Sequence, residues 1–260
     1  MIMKKLFCII ALASLTLTAW SQTPLRLSSY SGTSVERYDG QQCNVTIERY
    51  FFTGWNTVSL PFAMTEQEID DVLGQGVKLE RLVGVTQQGT EIVLNFQDCK
   101  SEGIKANQPY ILYYPGEAGT KKFNVNAQVK NKESKVTLTT AGGVEVTMNG
   151  AAFKTDGKGL YGILAINNVD ANFTSIDNDK SFFYATRCFI SIPGEQQFTL
   201  IPRHFANGEL TSITDIAAEN EIVDVYNVLG MRVAHNIKAG DVNNLVPNIY
   251  IVNGHKVLVK

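Results

Sequence analysis

Charge, histidine and proline are all scarce in this chain. Of its 260 residues only 18% are charged, three are histidine and seven are proline. The histidines, His204, His235 and His255, stand alone, with neither H-E-x-x-H nor any other metal-ligand spacing, which removes the usual zinc-hydrolase signatures. A G-x-S-x-G nucleophile elbow is missing, and so is a glycine-rich phosphate loop after a strand. "GKGLYG" at 157–162 lacks that spacing and reads as a turn and a strand. Basic side chains nowhere form a run and the formal net charge is −2. Binding phosphates needs a basic patch, so nucleic acid is not an expected partner.

Cysteine is also sparse. Cys8 falls in the first twenty residues, which leaves Cys43, Cys99 and Cys188. An odd number without C-x-x-C spacing argues against a disulfide scaffold or a structural zinc site. At most one pair can close, and the default reading is three small buried apolar residues.

What is present begins with a leader. Residues 1–21 carry a basic start with Lys4 and Lys5, an apolar stretch over 6–17, and Ala19-Trp20-Ser21 before Gln22. That is the layout of a secretory signal peptide. The apolar run is shorter than the ~20 residues a membrane helix needs, so no retained transmembrane segment is expected. Loss of Lys4 and Lys5 takes the net charge to about −4.

The rest reads as strands. Cys43, Val45 and Ile47 alternate with Asn44, Thr46 and Glu48, the pattern of a half-buried strand. "WNTVSLPF" gives a second, and Thr65 with Glu68 three residues on opens the one convincing helix, carrying Ile69, Val72 and Leu73 and stopped by Gly74. Residues 77–86 and 90–96 form a hairpin around Gly89, and "YILYY" lies between Pro109 and Pro115-Gly116. The runs 122–129, 135–139 and 144–148 alternate clearly and predict three consecutive antiparallel strands with one wet face. Short strands follow at 160–166, 181–187, 188–192 and 197–201. Strands every 8–12 residues with a single short helix predict an all-β fold, a β-sandwich or jelly roll. Polar residues at 202–215 place a domain boundary near 210, giving a main domain over 22–210 and a C-terminal β module over 211–260.

In that module Asn253-Gly254 is a type I′ pair between two apolar runs, which sets Val252 opposite His255 and Tyr250 opposite Val257. "VYNVLGMRV" followed by a terminal "PNIYIVNGHKVLVK" resembles the type A sorting domain of the type IX secretion system, which carries proteins across the outer membrane of certain Gram-negative bacteria. Tyr226, Gly230, Val233, Tyr250, Gly254, Lys256 and Lys260 carry the resemblance, and Asn248 stands where that family usually has Gly. The resemblance implies the outer-membrane secretion machinery as a partner and a cell-surface or extracellular location. "GWNTVSLPF" and "IKANQPYILYYP" are similar to segments of surface and secreted proteins of the same bacteria.

Chemistry is harder to find. Asp177-Asn178-Asp179-Lys180-Ser181 begins like a calcium loop, but Phe182 and Cys188 occupy the positions of its Gly and bidentate Glu, so a solvated turn is the expected reading. A glycosidase needs only two carboxylates about 5–10 Å apart, for which Glu91, Asp98, Asp156 and Asp177 are candidates. The expectation is an exported, non-catalytic cell-surface or secreted protein without cofactor or metal, serving adhesion, binding of a glycan or of a host or matrix protein, or surface structure. The alternative is a carbohydrate-active hydrolase on the same scaffold.

Overall fold

A computed structural model describes residues 23–28, 35–164, 169–206 and 217–259. The stretch read as a signal peptide, the boundary expected near 210 and Lys260 lie outside them. In chain order the strands are β1 (Thr23–Ser28), β2 (Gln42–Phe51), β3 (Gly54–Val58), β4 (Lys78–Gln88), β5 (Glu91–Asp98), β6 (Tyr110–Tyr114), β7 (Gly119–Gln128), β8 (Lys135–Thr139) and β9 (Glu145–Gly150). There follow β10 (Thr155–Asp156), β11 (Tyr161–Ile163), β12 (Phe173–Ser175), β13 (Phe182–Phe183), β14 (Cys188–Ser191) and β15 (Thr199–Phe205). The terminal module holds β16 (Ile222–Asn227), β17 (Arg232–Lys238), β18 (Asn248–Val252) and β19 (His255–Val259). The fold is all-β and sandwich-like, and no helix among the described residues is long and apolar enough to cross a membrane.

A five-stranded sheet in the order β15-β5-β4-β6-β3 is the centre of the molecule. Strands β3, β5 and β6 are almost wholly buried, since the sheet is covered on both faces over most of its length. On β6, Tyr110, Leu112 and Tyr114 join a core with the sheet β1-β2-β7, while Ile111 and Tyr113 face a second core. That second core takes Val146, Met148, Tyr161, Phe173, Cys188 and Ile190 from the sheet β12-β11-β14-β9-β8. A two-stranded ladder, β10-β13, brings Phe183 onto a small separate cluster.

Helix α1 (Glu66–Leu73) closes one edge of the first core. Thr65 Oγ1 accepts from Glu68 N at 3.2 Å while Thr65 N donates to Glu68 Oε2 at 2.7 Å, a complete capping box, worth ~1 kcal/mol. Ile69 is fully buried, and Gly74 ends the helix at φ +88°, where a side chain would be strained.

Residues 122–148 depart from the expected meander. β7 pairs with β2 over ten residues, from Gln42 opposite Gln128 to Phe51 opposite Gly119, whereas β8 and β9 pair in the opposite layer. Alternation alone shows that a strand has one buried face but not which sheet buries it. Among the described residues two pairings are parallel, β1 with β2 and β15 with β5, and neither leaves a local turn signal. β15 also runs on through Pro202 to Phe205, into the stretch read as a boundary; as an edge strand it tolerates a proline.

The terminal sheet, β17-β16-β18-β19, has its own core of Val223, Val225, Val252, Val257 and Val259. Its last hairpin has the expected register, with Asn253 and Gly254 at φ +50° and +82°. The module is seated on the central sheet by Asn248. The Asn248 amide donates to Val85 O and accepts from Asn95 Nδ2 at 3.2 Å, beside a bulge of β4 between Leu82 and Gly84. A Cβ at Gly84 would stand 2.5 Å from Asn248 Oδ1. Arg203 donates to Val228 O at 2.8 Å, and Lys256 Nζ lies 4.7 Å over the Phe205 ring.

Arg49 on β2 joins three layers. Its guanidinium is 1% exposed, donates to Thr57 O on β3 and to Thr186 O at 2.6 Å just before β14, and stacks 4.7 Å over Phe51. Arg49→Ala removes the guanidinium donors to Thr57 O and Thr186 O, the latter still accepting from Ser59 N at 3.0 Å, and leaves a cavity; it should cost ~3–5 kcal/mol of stability in denaturant unfolding. A loss below ~1 kcal/mol would show that the layers hold without it.

Candidate functional site

The curl of the central sheet makes a site. β3 and β15 are its opposite edges, which in a flat sheet would stand ~19 Å apart at ~4.8 Å per strand. The rings of Trp55 on β3 and His204 on β15 nevertheless stack, with centroids 4.7 Å apart at an interplanar angle of 14°. The face toward the second core is therefore strongly concave, and side chains from both edges meet over β4.

Between those rings β4 supplies Lys78 and Glu80, two residues apart and so on one face. Tyr113 lies opposite both Lys78 and Trp55 in the ladder. Its ring meets Trp55 edge-on at 5.5 Å and takes Lys78 Nζ over its face at 5.6 Å. Glu80, 4% exposed, bonds through Oε2 to His204 Nδ1 at 2.6 Å. Asp170 and Asn172 complete the wall, and the resulting open cleft has a volume of about 630 Å³.

Burial pushes the Glu80 carboxyl above its ordinary value, against the opposing hydrogen bond and charge of His204. The carboxylate oxygen on Nδ1 holds the imidazole in place and leaves Nε2 directed away from it. That is the base half of a hydrolytic relay. Serine, threonine and cysteine do not line the cleft among the described residues, so no hydroxyl or thiol of the Ser–His or Cys–His kind stands beside His204 there.

The carboxylates expected from sequence lie elsewhere. Glu91 is exposed at the start of β5, Asp98 accepts from Lys100 N at 3.0 Å, and Asp156 accepts from Lys158 N at 3.0 Å. Asp177 takes the hydroxyl of Ser175, Asn178 takes Lys180 N and the Ser181 hydroxyl, and Asp179 pairs with Lys158. These contacts make 177–181 a self-bonded turn. Among the described residues no three His, Cys, Asp or Glu side chains converge as metal ligands. Cys43, Cys99 and Cys188 are free and buried, and burial raises the thiols of Cys99 and Cys188 to about 12.

Glu80 and His204 were the residues that sequence reasoning missed. The available signal was a glutamate sharing a strand face with the inward Leu82, flanked by the buried Leu79. His204 appeared isolated because its partner is 124 residues away.

The residues that carry the resemblance to a sorting domain stand in different environments, Lys260 lying outside the described residues. Tyr250 is buried and donates to Val246 O at 2.8 Å, Gly230 and Gly254 occupy turns at φ +80° and +82°, and Lys256 faces the central body. Val233 is 39% exposed, and Tyr226 is half-buried opposite Ile251.

A raised carboxyl pKa means that the folded chain holds the Glu80 proton more tightly than the unfolded chain. The stability this contributes is complete below the ordinary value of 4.5 and is lost as pH rises through the folded value. Glu80→Gln should flatten the fall in melting temperature above pH 4.5; an unchanged slope in the variant would contradict the assignment. Comparison with protein-family models, curated proteins and solved structures finds no match for this chain, so its resemblance to a sorting domain rests on the residues quoted above.

Proposed function

We propose that this is an exported, non-catalytic binding protein of the cell surface or medium, and that the cleft over β4 is its ligand site, with a glycan as ligand. The observation that carries this reading is the pairing of the half-buried Tyr113 ring with Lys78, Glu80, Asp170, Asn172 and His204 around one open depression. A sugar presents C–H faces that pack on an aromatic ring and hydroxyls that both donate and accept. A cleft with one aromatic wall and several polar groups of both kinds suits that surface. Export rests on the leader at 1–21, and sorting on the resemblance of 213–260. The terminal module would then act as an address while docked on the body through Asn248, Arg203 and Lys256.

One observation favours a hydrolase as the second reading. Glu80, with its raised carboxyl pKa, and Asp170 line the same cleft, the kind of carboxylate pair a glycosidase needs. Both readings are tested on the chain from residue 22, with the terminal module kept because it packs on the central sheet. A glycan screen should return saturable binding that Tyr113→Ala weakens about tenfold, without release of reducing ends. Turnover abolished by Glu80→Gln would establish the hydrolase. Absence of both binding and turnover would remove the cleft from consideration.

A further inference from the structure

A second depression lies where the ends of β1, β3 and β9 meet the turn before β14. Its volume is about 270 Å³, and Leu27, Leu60, Pro61, Ala151, Phe153 and Phe189 supply most of its apolar wall. It is a crevice open to solvent at the junction of three sheets. Phe153, on its wall, is 50% exposed.

The polar end of the crevice is incomplete. Ser59, 7% exposed, and Ser134 both line it, and their Oγ atoms are 2.6 Å apart. Two hydroxyls bring two protons, and their mutual hydrogen bond uses one. Among the described residues neither Oγ has another partner. One O–H is thus left to donate toward whatever fills the space. Gly150 lies directly behind the pair, and a Cβ there would collide with both oxygens. The backbone is therefore cut back where the hydroxyls stand.

We propose that this crevice is a ligand site separate from the cleft over β4, for a small neutral molecule with an aromatic or short acyl body and one carbonyl oxygen. The size follows from volume. An apolar cavity of ~150 Å³ holds benzene, so 270 Å³ holds a ring with a short substituent. The carbonyl is the acceptor that the spare O–H requires. Neutrality follows from the rim, where Glu36 and Lys132 carry opposite charges and Glu133 pairs with Lys135 at 3.0 Å, so neither sign prevails.

The test uses the chain from residue 22, labelled with ¹⁵N, titrated with benzamide and separately with toluene, which has the ring without the acceptor. Benzamide should shift the amide signals of Ala151, Thr186 and Phe189 saturably and leave the Trp55 indole signal unmoved. Toluene should bind about fivefold more weakly. Removing one hydroxyl frees the other to donate, so Ser59→Ala and Ser134→Ala should each keep the affinity for benzamide. The double variant should lose about fivefold, and Ala185→Leu, which fills the crevice, should abolish binding. Failure of benzamide to saturate, equal affinity for toluene, or full binding by the double variant would each overturn the proposal.

Discussion

A charged group with no carboxylate partner among the described residues lies at the centre of this fold. Burial, with the nearby Arg187, pushes the Arg49 guanidinium well below its ordinary pKa, yet an arginine does not give up its proton in a protein. The charge is instead solvated by backbone. It takes the carbonyls of Thr57 and Thr186 and the face of Phe51, while Nε has no partner among the described residues. Desolvating an ion is expensive and carbonyl dipoles offset it only in good geometry. The three layers must therefore keep a fixed relation, and Thr57 Oγ1 extends the link by accepting from Cys188 N at 2.9 Å.

From that relation the rest of the molecule follows. The central sheet is covered on one face by β1-β2-β7 with α1, and on the other by the layer containing β14. Where β4 and β5 run past that first cover, the terminal module takes over through Asn248 and the β4 bulge. β15 serves two sites at once. Its Pro202 and His204 line the cleft, while Arg203 and Phe205 hold the module, as alternation along a strand allows. A small module with one modest core of valines gains from such support, because little apolar surface is buried within it.

Local features were legible in the sequence. The capping box at Thr65 and Glu68, the turn at Gly89, the Asn253-Gly254 hairpin and the two faces of β6 all follow from residue type and spacing. Long-range features were not. Nothing in 122–129 tells that its partner is β2 rather than β8, and parallel pairs such as β15 with β5 join residues about a hundred positions apart. The cleft belongs to this second class, since Trp55, Glu80 and His204 meet only through the curl of a sheet. Asn248 looked like a departure from a glycine pattern, and its side chain turned out to be the contact that seats the module.

If the buried guanidinium ties the layers into one cooperative unit, hydrogen exchange followed amide by amide gives the most direct check. The account predicts that protected amides of β2, β3 and β14 exchange with a single opening free energy and respond together to denaturant. Exchange of β2 through its own, lower-energy opening, with β3 and β14 still protected, would contradict it.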